Sequence, residues 1–102
     1  MQLTTDVEKF EEYQQILIRE IIEQIRFKLA AVGMQGNELR ETTGEIAFSV
    51  ASTIDDMAKI EFEGTEIKPY LTFRTDDTQL IDCGENSYMN EFVSTLMNKV
   101  FN

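Results

Sequence analysis

Apolar and polar positions along the chain follow two periods: a helical one up to about residue 58 and again from about residue 87, with a two-residue alternation between. Val7, Phe10, Leu17, Ile18, Ile21, Ile22, Ile25, Leu29 and Val32 share one side of a helical repeat. The pattern Thr5-x-x-Glu8 fits a capping box, in which each side chain satisfies the other residue's free N–H. Asp6 and Glu8 put negative charge at the positive end of the helix dipole. Gly33 stands where a residue of positive φ ends a helix. These features predict a first helix over 6–32. At about 1.5 Å per residue it is roughly 40 Å long, more than a small core needs. It also carries Tyr13, Ile16 and Phe27 opposite the main stripe. Either the rest of the chain covers them or a second copy or another protein does.

The stretch LRETTGEIAFSVASTIDD, residues 39–56, fits both periods. As a helix starting at Glu38, with Asn37 as its cap, it lines up Leu39, Ile46, Ala47, Val50, Ile54, Met57 and Ala58. Phe48 is then the one large residue off the stripe. As a strand, Ile46, Phe48 and Val50 share a face, and residues 45–51 form an extra strand. The pattern is much longer than a usual strand of about 5–6 residues, and that favours the helix. Gly44, Thr42, Thr43 and Thr53 weaken it.

Beyond Asp55-Asp56, Ile60 and Phe62 alternate with Lys59, Glu61 and Glu63, and Ile67, Leu71 and Phe73 share a face. Gly64-Thr65 suits a two-residue hairpin turn with Gly first. That register sets Phe62 against Ile67, Glu61 against Lys68 and Ala58 against Leu71, with a third strand at 78–82 after Asp76-Asp77. A last helix over 87–100, capped by Asn86 or Ser87, presents Tyr88, Met89, Phe92, Val93, Leu96 and Val100. The expected architecture is one α+β domain over residues 1–102. It has a long N-terminal helix, a second helix, a three-stranded antiparallel meander and a C-terminal helix on one face of the sheet.

Composition narrows the function classes. The 102 residues hold 19 acidic and 9 basic side chains and no His, for a net charge of −10. Such a chain repels nucleic-acid phosphate and anionic membranes, so no direct nucleic-acid or membrane partner is expected, while a basic protein partner is compatible. No apolar run approaches the roughly 20 residues of a membrane span, and no signal peptide is visible. With a single cysteine, Cys83, no internal disulfide can form, and a cytoplasmic setting is expected.

Without His, the commonest general base and neutral metal ligand are missing, as are Cys–His nucleophiles and Cys/His zinc sites. No P-loop, G-x-G-x-x-G or G-x-S-x-G occurs. Cys83, beside Asp82 and Glu85, lacks the positive surroundings of a reactive thiolate. Asp55 or Asp56 followed by Glu66-Ile67-Lys68 has the order of an Asp…Glu-x-Lys metal nuclease, but that triplet is common by chance and a nuclease needs a basic path for its substrate.

The expectation is a small acidic non-catalytic protein, with no cofactor and no metal, acting through protein–protein contact. Its contact residues are Tyr13, Ile16, Phe27 and Phe48, and helix 1 pairing with its own copy gives a homodimer. One alternative is an acidic imitator of nucleic acid that fills a basic cleft with Asp55, Asp56, Glu61, Glu63 and Glu66. Another is a carboxylate-metal enzyme.

Overall fold

The first helix forms where the pattern places it. Its cap is Asp6, whose carboxylate accepts the Lys9 N–H at 3.1 Å, rather than Thr5. Thr5 is occupied elsewhere: its hydroxyl donates to the Asp82 carboxylate at 3.1 Å. At the other end Gly33 takes φ +97°, its N–H reaches the Ala30 carbonyl, and the Met34 N–H reaches that of Leu29. These two bonds close the helix as a Schellman motif.

The computed structural model describes residues 1–101. The chain runs β1 (Gln2–Thr5), α1 (Val7–Ala31), α2 (Gly36–Ile54), β2 (Ile60–Phe62), β3 (Thr65–Ile67), β4 (Phe73–Arg74) and β5 (Gln79–Asp82). A single 3-10 turn (Met89–Phe92) then leads into α3 (Val93–Val100). The class is α+β, as expected. No helix among the described residues is long and apolar enough to cross a membrane.

Residues 45–51 are helical, inside α2. This helix starts before Asn37 and has no side-chain cap, so Asn37 is not its cap residue. Its buried side is also rotated from the expected stripe. Thr43, Ala47 and Ala51 are enclosed, while Ile46 is exposed and Leu39, Val50 and Ile54 are half-buried. The reason is helix packing. Small side chains let α2 approach its neighbours, and a Cβ on Gly44 would sit 3.3 Å from the Met97 Cε of α3. Around Ala47 and Ala51 the core gathers Ile18 and Ile22 of α1 with Met89, Val93, Leu96, Met97 and Val100. Ile18 and Ile22 are fully buried, and each contributes roughly 1.5–3 kcal/mol.

The strands depart most from expectation. In place of one antiparallel meander there are two separate sheets. The larger has the order β1-β5-β4, with β1 parallel to β5 and β4 antiparallel to it. The sequence pattern gave no sign of β1. The smaller is the β2–β3 hairpin, in which Ile60 faces Ile67, Glu61 faces Glu66 and Phe62 faces Thr65. Its turn is Glu63-Gly64, with φ +49° and +83°, and not Gly64-Thr65. Two positive φ values make the tight turn whose twist matches that of the strands. Glu61 pairs with Lys59, just before its own strand (3.0 Å), instead of Lys68, which lies 3.4 Å from Glu66. Phe62 is 77 % exposed, so the apolar side of the hairpin is left uncovered.

The final helix is shorter than 87–100 and is held from outside. Ser87 donates its hydroxyl to Asp55 and does not cap the helix. At the far end Arg26 of α1 donates to the Val100 carbonyl at 3.0 Å and lies 4.9 Å over the Phe101 ring. A cation here complements the negative end of the α3 dipole. Arg40 of α2 approaches the same ring and donates to Asn98 at 2.6 Å.

Candidate protein-contact surface

Phe73 of β4 decides the shape of the outer face of α1. Its ring meets Phe10 edge-on at 5.3 Å and Tyr13 edge-on at 5.5 Å, with interplanar angles of 60° and 88°. Phe10 is fully buried, which anchors Phe73, and Tyr13 is half-buried beneath it. Tyr13 is thus partly covered by its own chain. Beside the aromatic pair an open apolar groove of about 450 Å³ runs between Tyr13, Ile16, Leu17, Glu20 and Phe73. Ile16 forms its lip and is 60 % exposed.

The four expected contact residues divide between three places. Tyr13 and Ile16 share the groove. Phe27 is 65 % exposed on the same side of α1, about 16 Å further along the axis. Phe48 is on another surface. It lines a wider groove of about 760 Å³ between α2 and α3, over Gly44, Val93 and Met97, with Arg40, Glu41 and Glu45 at the rim. On the α1 face the helical repeat sets Glu20 and Glu23 between Ile16 and Phe27. No cation pairs with either: the only ion pairs among the described residues are the two in the hairpin. Glu20 accepts a hydrogen bond from Gln24 at 2.8 Å.

The expected acidic surface loses a member. Asp55 is 3 % exposed, and its carboxylate accepts from Ser87 Oγ (2.5 Å), Met89 N–H (3.0 Å), Asn90 N–H (2.8 Å) and Asn90 Nδ2 (2.7 Å). It joins the end of α2 to the start of the last helical segment, where N–H groups without a partner inside the helix favour an anion. Asp56 turns the chain with φ +60°, a conformation Asp tolerates better than most residues. Glu61, Glu63 and Glu66 are exposed on the hairpin. Glu66 and Lys68 pair with each other, and Asp55 is enclosed among its own donors and does not join them. No group of three His, Cys, Asp or Glu among the described residues is placed to hold a metal ion.

Other polar clusters are structural. Asp82 is buried between Thr5 and Tyr70, whose hydroxyl donates to it at 2.5 Å. That bond, with lesser help from burial and the nearby negative charge, pushes the Tyr70 phenol up to about 12. Asp76 closes its turn by accepting from the Thr78 N–H (2.7 Å), the Thr78 hydroxyl and the Gln79 N–H, and the Thr78 backbone bond above all holds its carboxyl below the usual range. Burial raises the Tyr88 phenol, helped by the negative charge of Glu11. Cys83 is half-buried, its thiol directed at the Glu85 carbonyl at 3.2 Å.

Comparison with protein families, curated proteins and solved structures finds no match to this chain.

Proposed function

We propose that the protein is non-catalytic and acts by binding another protein through the outer face of α1. The observation that supports this reading best is the groove of Tyr13, Ile16, Leu17 and Phe73, apolar and open along the flank of α1, with Leu17 and Phe73 at its core side and exposed Ile16 at its outer lip. Unpaired Glu20 and Glu23 follow it, and Phe27 stands beyond them. The complementary surface carries an apolar side chain for the groove and basic side chains beside it, a combination that supplies both affinity and orientation. A basic partner also suits a chain of net charge −10.

A homodimer through the same face is the second reading. An antiparallel helix pair can set Ile16 against Phe27 of the other copy, but the same register sets Glu20 against Glu23. That repulsion is why a basic partner is preferred. Imitation of nucleic acid by acidic residues alone is a weaker reading, because Asp55 is enclosed. Salt separates these modes. Binding through groove and glutamates loses only part of its strength at high ionic strength and is weakened by Ile16→Ala at any salt concentration. A purely acidic contact collapses with salt and ignores Ile16→Ala. The latter result would refute the groove as the contact.

A further inference from the structure

We infer that β1 is a self-pairing edge, through which two copies of the chain join their three-stranded sheets into one six-stranded sheet. This inference is independent of the α1 groove.

β1 lies at the outside of the sheet, and all of Gln2–Thr5 is exposed. Which backbone groups it offers follows from two hydrogen bonds. The Gln2 N–H reaches the Thr78 carbonyl at 2.8 Å and the Asp6 N–H reaches the Asp82 carbonyl at 2.9 Å. In a parallel ladder inward-facing groups alternate. Gln2, Thr4 and Asp6 therefore face β5, and the N–H and carbonyl groups of Leu3 and Thr5 face outward.

Edges of this kind are normally guarded by charge, proline or a bulge. The opposite edge, β4, is two residues long, contains Arg74 and follows Pro69. β1 is four residues long and has no charged side chain, proline or bulge: Gln2-Leu3-Thr4-Thr5 is uncharged, whereas each of the other four strands carries a charged residue. In a chain of charge −10, a neutral edge lets two copies meet with no like-charged side chains face to face along the pairing strands.

The outward groups also specify the register. A two-fold axis through Thr4 places Leu3 opposite Thr5 of the second copy and Thr5 opposite its Leu3. All the outward donors and acceptors of both residues are then used, giving four hydrogen bonds between the copies. Thr4 meets its own counterpart, a favourable cross-strand pair. The two Asp6 side chains end up at opposite ends of the pairing, about 14 Å apart, beyond the reach of most screened repulsion. Parallel pairing of the two strands would set them side by side.

The test is a concentration series by sedimentation equilibrium on the wild type, Leu3→Pro and Ile16→Asp. Proline at position 3 removes an outward N–H and leaves the bonds to β5 in place. The wild type and Ile16→Asp should rise toward twice the chain mass, while Leu3→Pro stays at the chain mass with unchanged circular dichroism. Amide exchange of the wild type keeps the test decisive if Leu3→Pro fails to fold. The Leu3 and Thr5 amides should slow as concentration rises, while that of Thr4 is protected throughout. A wild type that stays monomeric, a Leu3→Pro dimer, or Leu3 and Thr5 amides indifferent to concentration would overturn the inference. Loss of dimer in Ile16→Asp but not in Leu3→Pro would also overturn it and assign self-association to α1.

Discussion

Replacing Asp55 by Ala should destabilise the protein more than any exposed acidic substitution, and the size of the effect follows from what its carboxylate holds. Four donors converge on it: Ser87 Oγ, the Met89 and Asn90 N–H groups, and Asn90 Nδ2. The Ser87 hydroxyl and the Asn90 amide can turn to other acceptors, but the two backbone N–H groups cannot. Met89 is fully buried, so no water replaces the lost acceptor there. Asn90 is half-buried and recovers part of its loss. A buried donor left without a partner costs about 1–3 kcal/mol, which puts Asp55→Ala at roughly 3–4 kcal/mol. Asp55→Asn keeps one acceptor oxygen and turns an amide toward the donors, so about half of that loss is expected. Ser87→Ala leaves the carboxylate in place and should cost only about 1 kcal/mol. Domains of this size are typically stable by only about 5–15 kcal/mol, so these differences are well resolved by urea unfolding with linear extrapolation. An Asp55→Ala protein within about 1 kcal/mol of the wild type, or one more stable than Asp55→Asn, would refute the assignment of Asp55 as the anchor of the last helical segment.

Two further predictions concern Tyr70 and Glu63. The Tyr70 phenol is raised from 10.0 to about 12 in the folded protein, so its contribution to stability is complete below pH 10 and lost as pH rises from there to about 12. The phenolate absorbance of the wild type minus that of Tyr70→Phe should give a midpoint of about 12, and a midpoint at the ordinary value of 10.0 would count against the Tyr70–Asp82 bond. Glu63 holds a positive φ that suits Asn better, so Glu63→Asn should stabilise the hairpin by roughly 1 kcal/mol, read as slower amide exchange across residues 60–67, with unchanged exchange the contrary result.

What could be read from the sequence was local, and what could not depended on distant partners. α1 was legible because its stripe is long, its first turn is acidic and Gly33 ends it. α2 was legible as a helix, but not the side it buries. Periodicity located the apolar residues, while close packing against α1 and α3 selected the small ones, Thr43, Ala47 and Ala51. β1 was invisible: four uncharged residues show no alternation, and their partner β5 lies at the other end of the chain. The hairpin register slipped because Gly64 is the natural first residue of a turn, whereas the backbone places Glu63 there against its preference. Asp55-Asp56 read as a solvated pair, yet Asp55 caps a segment more than thirty residues away. Of the proposed contact groove, two lining residues, Tyr13 and Ile16, could be singled out from their position opposite the main stripe. Phe73, which shapes the groove, was placed only on one strand face with Ile67 and Leu71, and its edge-on approach to Tyr13 is set by the tertiary arrangement of β4 over α1.

The central claim is that the α1 groove binds a partner through an apolar anchor beside Glu20 and Glu23. Its most direct measurement is quantitative capture from a native host extract with the wild type, Ile16→Asp and Phe62→Asp proteins side by side. Phe62 is the control, since it is more exposed than Ile16 but lies on the hairpin, away from the groove. The account predicts a basic protein retained by the wild type and by Phe62→Asp and lost with Ile16→Asp. Retention of the same proteins by all three, or loss with Phe62→Asp alone, would contradict it.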